Sequence, residues 1–160
     1  MQVFVPFQDP FLCARTLDSR RFNKQILECK QILKAIRGES TAWANHPCVL
    51  MYKDHADWLQ TYLNVFECYK AYKDLFEDDY DEAMVHYFLA REWRAKAVEC
   101  SPSFLTDSFI NQHRRRLYTK LPQFYTMWVE LGTSDENWYY VNGEWRIYIN
   151  GRFIKVLEEV

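Results

Sequence analysis

The feature that most constrains the fold is an apolar stripe at helical spacing in residues 17–38. Five apolar side chains recur there every three or four positions, which is typical of an amphipathic helix with one face against a core. They are Phe22, Ile26, Cys29, Leu33 and Ile36. Asp18 occupies an N-cap position and Gly38 a left-handed C-cap position, so both ends carry the residue types that helix ends favour. The sequence therefore predicts a packed helix.

A polar stripe runs beside the apolar one on this helix. Four polar side chains lie within about 80° of one another at helical spacing. They are Arg21, Lys24, Glu28 and Gln31. One interpretation is a solvated face on which Glu28 pairs with Lys24. The alternative is a catalytic carboxylate among cations that also bind a phosphate backbone, and that hypothesis needs support from the rest of the chain.

Composition limits the class of protein. A chain of 160 residues predicts one domain with a core large enough to need no disulfide. The five cysteines form no CxxC pair, so they predict reduced core thiols, and neither a metal site nor a cofactor is indicated. A net charge of -2 excludes a uniformly basic protein but allows a local basic patch. Without a leader peptide or a long apolar run, we expect a cytoplasmic protein of a bacterial cell or phage-infected host, with no membrane partner.

The segments on either side of this helix supply an amine and a histidine. Residues 1–16 contain two prolines and predict an extended arm that begins with an α-amine, a nucleophile when unprotonated. Gln2 is large enough to predict that the initiator methionine is kept, so the amine belongs to Met1. Pro47 suits the first turn of a second helix, and His46 before it is either a capping residue or a catalyst.

The second and third helices carry aromatic and acidic runs. An aromatic stripe on the second helix predicts core packing. It comprises Trp58, Tyr62, Phe66, Tyr69, Tyr72 and Phe76. The acidic tract 77–82 predicts a solvated turn that starts a third helix, which runs to about Val98. Because its carboxylates would repel phosphates, we expect this tract to point away from any bound DNA.

The strongest basic signal lies in a predicted fourth helix, TDSFINQHRRRLYTKL, with an aromatic segment after it. One interpretation is a duplex-binding wedge, in which cations hold phosphates and rings stack on unpaired bases. The alternative is a short fifth helix that ends at Gly132 with its rings in the core. The candidate DNA-binding residues here are His113, Arg114, Arg115, Lys120, Tyr125 and Trp128.

Two Asn-Gly pairs mark the C-terminal segment. Asn142-Gly143 and Asn150-Gly151 predict type I′ turns between the strands WYYV, EWRIYI and RFIKV. The sequence thus predicts a mainly α fold: a compact helical bundle in residues 1–136, with a small three-stranded antiparallel β-meander in residues 137–160. A sheet this short must pack on the helices or on a partner to persist.

Three motifs of this chain, in order and spacing, resemble the pyrimidine-dimer DNA glycosylase (endonuclease V) family. The first runs from Leu17 to Leu33, the second is W-A-N-H-P at residues 43–47, and the third runs from Asp107 to Tyr125. The resemblance implies a compact helical DNA-repair fold of the endonuclease V type. The chain departs from the pattern at Leu27, where the phage-type enzymes tend to carry arginine.

The resemblance also implies a mechanism. Enzymes of this family excise a base at a cyclobutane pyrimidine dimer and then cleave the strand by β-elimination. Their N-terminal amine, here Met1, attacks the sugar C1′, and a glutamate on the first long helix, here Glu28, assists ring opening and proton transfer. Phosphate binding would fall to Arg21 and Lys24, with His46 of the second motif also at the DNA. The late basic helix and its aromatic residues would grip and kink the duplex.

We therefore expect a DNA glycosylase with abasic-site lyase activity, acting on double-stranded DNA that carries a pyrimidine dimer or another altered base. Two alternatives stay open from the sequence. One is a non-catalytic DNA-binding or DNA-modification accessory protein that uses the same basic face. The other is a helical protein-interaction module with the hairpins as its docking surface, which salt-independent binding would indicate.

Overall fold

A computed structural model describes residues 1–158 of the chain. Within these residues six α-helices precede a three-stranded antiparallel sheet, so the predicted mainly α fold with a C-terminal meander is confirmed. The helices are α1 Pro10–Thr16, α2 Ser19–Ile36, α3 Pro47–Tyr52, α4 Ala56–Leu75, α5 Tyr80–Glu99 and α6 Asp107–Lys120. The strands are β1 Asn137–Val141, β2 Glu144–Ile149 and β3 Arg152–Leu157. Short 3-10 helices span Lys53–His55 and Thr126–Leu131.

Helix α2 has the predicted boundaries and the predicted buried face. The Asp18 side chain accepts a hydrogen bond from the Arg21 backbone N–H at 3.4 Å, and Gly38 has a φ of 76°. Phe22, Cys29 and Leu33 are buried in the core. Both caps and the apolar stripe are therefore confirmed.

The N-terminal arm is shorter than predicted. The extended segment ends at Asp9, whose side chain accepts from the Phe11 N–H at 2.9 Å and so caps helix α1. Pro10 fits the first turn of this helix because its missing N–H would have no intrahelical partner there. The prediction of an extended arm over residues 1–16 is therefore wrong from Pro10 onward.

Helices α3 and α4 replace the single second helix of the prediction. The 3-10 segment Lys53–His55 separates them. Residues 48–56 contain no proline or glycine, so the sequence carries no signal for a helix end there. The aromatic stripe of α4 is buried at Trp58, Tyr62 and Phe66, whereas Phe76 at its far end is exposed. The stripe is thus core at one end of the helix and surface at the other.

Helix α5 packs along α4 through small side chains. Ala83, Ala90 and Ala97, at intervals of seven residues, are its three buried positions, so the two helix backbones approach closely. The acidic tract before it is exposed, as predicted, and the Asp79 side chain caps α5 by accepting from the Glu82 N–H at 3.2 Å.

The meander has the predicted strands and turns. Asn142 and Asn150 adopt φ values of 53° and 51°, and each is followed by a glycine with positive φ, as type I′ turns require. Strand β1 packs against α3, and Tyr139 and Val141 point into the core. The sheet therefore rests on the helices, while the division into residues 1–136 and 137–160 stays a prediction.

The cysteines are all unbonded within the described part of the chain. Cys13, Cys29 and Cys48 are buried, which fits the predicted core thiols. Cys68 is half-buried and Cys100 is exposed, so the prediction is wrong for Cys100.

Candidate active site

The first residues of the chain run through the interior with their backbone bonded to side chains. The Gln2 N–H donates to Glu28 Oε2 at 3.1 Å, and the Gln2 carbonyl accepts from Gln25 Nε2 at 3.2 Å. The Phe4 N–H donates to Gln25 Oε1 at 2.8 Å. Chain termini usually fray unless they are tied down. Helix α2 therefore binds the arm over residues 2–4 through two of its side chains.

Helices α4 and α6 hold the next part of the arm. The Tyr62 hydroxyl donates to the Phe4 carbonyl at 2.6 Å, and the Val5 N–H donates to His113 Nδ1 at 2.7 Å. Arg114 Nε donates to the Pro6 carbonyl at 2.8 Å. The buried backbone groups of the arm are thus paired with side chains from three helices, which satisfies them as a sheet or helix ladder would.

Residue 1 lies at the wall of a cavity of about 480 Å³. Elements from the whole chain meet there: the arm, α2, the start of α3, α6 and the sheet. The cavity is lined by Met1, Gln2, Phe4, Arg20, Arg21, Lys24, Gln25, Glu28, His46, Pro47, Arg116, Lys120, Asn137, Tyr139, Tyr148 and Gly151. Among these described residues Glu28 is the sole carboxylate, and five side chains are cationic.

Glu28 is the best-buried charged group of the cavity wall, with 7% of its surface exposed. Its Oε2 accepts from the Gln2 N–H, and its Oε1 lies 3.7 Å from Lys24 Nζ. The i,i+4 pair that the sequence predicts is therefore present, but on a cavity and not on a solvated face. The carboxylate thus bonds to the residue that directly follows Met1.

The cations of the cavity crowd one another. Partial burial and the positive charges of Arg116, Arg21 and Lys24 lower the pKa of Lys120. Like charges brought this close repel, and a bound anion relieves that repulsion. The cavity is therefore suited to the phosphates of a nucleic acid.

His46 both caps a helix and lines the cavity. Its Nδ1 accepts from the Cys48 N–H at 3.1 Å at the start of α3, so in the neutral ring Nε2 carries the proton. Burial and the positive charge of the nearby N-terminal amine lower the pKa of His46. The capping role is observed, and the neutral ring stands close to the amine.

The structure brings together six of the eleven predicted site residues and places the other five elsewhere. Those at the cavity are Met1, Arg21, Lys24, Glu28, His46 and Lys120. Those that do not line it are His113, Arg114, Arg115, Tyr125 and Trp128. Leu27, the departure from the family motif, is 62% exposed and also lies outside the cavity.

Two of the three consecutive arginines bond to the protein itself. Besides its bond to the arm, Arg114 stands 4.9 Å from the centre of the Phe7 ring, and Arg115 Nε donates to the Leu131 carbonyl at 2.9 Å. Both residues use their Nε for backbone contacts and lie outside the cavity, and their phosphate role stays a prediction. Arg116, which the sequence interpretation passed over, is the arginine of this run that reaches the cavity.

His113 is sealed inside the protein. It is 1% exposed, and burial lowers its pKa to about 3, so it stays neutral and accepts from the arm. A nucleic acid has no access to this ring. The predicted DNA contact at His113 is thus corrected to a structural contact.

The rings after α6 also lie in the core. Tyr125 and Trp128 are buried and stack with ring centres 5.4 Å apart, which corrects the predicted base-stacking wedge and favours the packed alternative. The Tyr125 hydroxyl donates to the Asp18 carboxylate and accepts from the Asp18 N–H at 2.9 Å. Asp18 also pairs with Arg21 at 3.2 Å. Tyr125 therefore holds the residue that caps α2 and that orients Arg21.

Several cavity residues have no counterpart in the sequence interpretation. They are Arg20, Arg116, Asn137, Tyr139, Tyr148 and Gly151. Arg116 precedes Lys120 by four residues and so shares its helix face, a signal that identifies it once Lys120 is a candidate. The sheet residues carry no such signal, because their contact with residue 1 joins opposite ends of the chain.

Fold and cavity together define a mainly helical protein whose N-terminal segment lines a cationic pocket with one carboxylate. Residues 1–67 match the model of a protein family described as pyrimidine dimer DNA glycosylase. The predicted resemblance is thereby confirmed over the arm, α1 to α3 and the first part of α4. Searches of curated proteins and of solved structures found no match for this chain. Within residues 1–158 no helix is long and apolar enough to cross a membrane.

Proposed function

We propose that this protein is a DNA glycosylase with abasic-site lyase activity, acting on double-stranded DNA at pyrimidine dimers or another altered base. Met1 supplies the nucleophilic amine and Glu28 the acid and base. The family described for residues 1–67 supports the glycosylase activity in general. The roles of the individual residues rest on the geometry of the cavity.

The observation that carries the proposal is the hydrogen bond from the Gln2 N–H to Glu28 Oε2 at 3.1 Å. It fixes the chain's first residue beside Glu28, the one carboxylate that residues 1–158 contribute to a cavity lined by five cations. The same hydrogen bond also holds the arm in place. For imine chemistry on a phosphodiester chain, the same arrangement supplies a nucleophile, a proton acceptor and phosphate ligands in one place.

The two stages of the reaction use the same pair of groups. In the first, the Met1 nitrogen forms a bond to C1′ while the bond from C1′ to the base breaks and the base leaves with the electron pair. The nitrogen then passes a proton to Glu28, and Glu28 returns this proton to the ring oxygen as the ring opens, which gives the imine. In the second, Glu28 takes a C2′ proton made acidic by the imine, and the C3′–O bond breaks to release the 3′ phosphate.

The cations give the cavity its affinity for the substrate backbone. Arg20, Lys24 and Lys120 are exposed enough to neutralise phosphates, and Arg21 and Arg116 are half-buried behind them. A base at a lesion is already poorly stacked, so extruding it costs less than extruding a normal base. Selectivity for damage then needs no reading of base edges.

Borohydride trapping tests the proposal. The protein is incubated with duplex oligonucleotides that carry a thymine dimer or an abasic site, and borohydride reduces any imine to a stable covalent bond. We expect an adduct on both duplexes, and peptide mass mapping to place it on Met1. Intact mass first establishes that the amine is that of Met1, and Nα-acetylated protein is the control that forms no adduct.

Three outcomes contradict the proposal in different ways. An adduct on Lys24 or Lys120 assigns the nucleophile to a side chain and removes Met1. No adduct on either duplex, with salt-dependent DNA binding intact, favours the non-catalytic accessory protein. Absence of salt-dependent DNA binding as well favours the protein-interaction module.

A further inference from the structure

The peptide unit between Met1 and Gln2 is held at both of its polar ends. Its N–H donates to Glu28 Oε2 at 3.1 Å, and its carbonyl accepts from the Tyr139 hydroxyl at 3.1 Å. A peptide unit is planar and rigid, so two hydrogen bonds on opposite edges fix its place and its tilt. The α-amine then keeps only the rotation about the Cα–C bond of Met1.

We propose that Tyr139 is a positioning residue that aims the Met1 amine, so that the three-stranded sheet is part of the reaction machinery. This inference rests on the proposed function, because it needs the amine to be the nucleophile. Without the Tyr139 hydroxyl, the bond to Glu28 alone holds the first peptide unit, and the unit can tilt about that bond. A tilt swings the amine away from the sugar carbon.

The surroundings of Tyr139 suit it to this task. It is 5% exposed, and its ring centre lies 5.9 Å from that of His46 and 5.5 Å from that of Tyr148. Strand β1 is paired with β2 and packs on α3, which gives the hydroxyl a rigid base. Burial raises the pKa of Tyr139, so its hydroxyl keeps its proton and donates.

The contact also differs from the others that hold the arm. Side chains of α2, α4 and α6 bind residues 2–6, and Tyr139 makes the hydrogen bond to residue 1 in the described structure. Tyr139 lies outside residues 1–67, the part that matches the glycosylase family. The sheet therefore adds the last restraint to an arm that the family-like segment already holds.

Tyr139→Phe tests the inference, because it removes the hydroxyl and keeps the ring. Single-turnover trapping on an abasic-site duplex, over a range of protein concentrations, separates the maximal rate from the half-saturating concentration. We expect the maximal rate to fall about 10- to 100-fold with the half-saturating concentration unchanged, since a misplaced reacting group costs rate and not affinity. The pH midpoint of the rate should stay that of the parent protein.

Tyr140→Phe is the matched control. Tyr140 is the next residue on β1, and its ring packs against Phe104 and Trp145, outside the cavity. We expect this variant to trap at the parent rate.

The outcomes separate this inference from the proposed function. An adduct in the parent protein with an unchanged rate in Tyr139→Phe overturns the inference alone. No adduct in the parent protein overturns both. If Tyr139→Phe loses rate, DNA affinity and thermal stability together, the hydroxyl serves the fold, and the inference is also overturned.

Discussion

Helices α2 and α6 both contribute cations to the cavity, but α6 also uses part of its basic run to hold its own chain. The cations Arg20, Arg21 and Lys24 of α2 line the cavity, whereas Arg114 and Arg115 of α6 donate to carbonyls of their own chain. The difference lies in the neighbours. Helix α6 adjoins the arm and the 3-10 segment Thr126–Leu131. Carbonyls of these two segments have no partner in a helix or sheet, and they accept hydrogen bonds from the guanidinium groups instead. A basic run alone therefore does not identify a binding surface, because its side chains can bond to acceptors of their own chain.

Helices α2 and α6 also differ in the titratable side chain with which each accepts a hydrogen bond from the arm. Glu28 on α2 accepts from the Gln2 N–H and also lines the cavity. His113 on α6 accepts from the Val5 N–H and is enclosed on all sides. We propose that Glu28 serves the chemistry and that His113 serves packing, and the experiments below test this contrast and that between the two basic runs.

The largest effect is expected for Glu28→Gln. The amide keeps an acceptor for the Gln2 N–H but cannot take a proton, so strand cleavage should fall about 10²- to 10⁴-fold while DNA affinity is kept. Cleavage of an abasic-site duplex and binding under the same salt conditions measure the two quantities. Glu67→Gln, an exposed change on α4, is the control with parent activity. Cleavage at the parent rate in Glu28→Gln would remove this carboxylate from the mechanism.

An intermediate effect is expected for His113 at acid pH. Its folded-state pKa of about 3 lies below the usual value of 6.5, so below pH 6.5 the unfolded chain binds a proton that the folded chain rejects. Stability should therefore fall as pH falls, by about 2 kcal/mol between pH 6.5 and 5 from this group. Denaturant unfolding of the parent protein and His113→Gln at both pH values measures the difference.

In His113→Gln, the part of the pH dependence of the unfolding free energy that comes from His113 should be absent. His86→Gln on α5 serves as the reference, because His86 is half-exposed and pairs with Glu82 of its own helix. An equal pH dependence in the parent protein and in His113→Gln would show that the buried ring is not the source.

The smallest effect is expected when the two neighbouring arginines are compared. Arg116→Gln should reduce the slope of log affinity against log salt by about one, because one phosphate contact is lost. Arg115→Gln should leave the slope unchanged, because its guanidinium already serves the Leu131 carbonyl. Titrations of undamaged duplex DNA over a range of salt concentrations give both slopes. A larger loss for Arg115→Gln would reverse the assignment of the two side chains.

The sequence predicts the local parts of this molecule well. The caps and apolar face of α2 and both Asn-Gly turns depend on residues within a few positions of each other. For the same reason, the polar stripe of α2 identifies Arg21, Lys24 and Glu28 together, since one helix face holds them.

The sequence fails where distant segments meet. Whether Arg114 faces solvent depends on the Pro6 carbonyl, which is 108 positions away, and no periodicity encodes that distance. The aromatic segment after α6 was ambiguous because stacking on DNA and packing on Asp18 require the same side chains. Tyr139 and Tyr148 look like ordinary strand residues until β1 is seen beside residue 1.

The threaded arm has a consequence for how the protein is made. Met1 and Tyr139 are 138 positions apart, so the arm leaves the ribosome long before the strand that restrains its first residue is synthesised. Contacts this far apart in sequence form late, because the intervening loop must close first. Until then, the contact from Tyr139 to the first residue is absent. We infer that the proposed nucleophile is positioned only once the sheet has been synthesised.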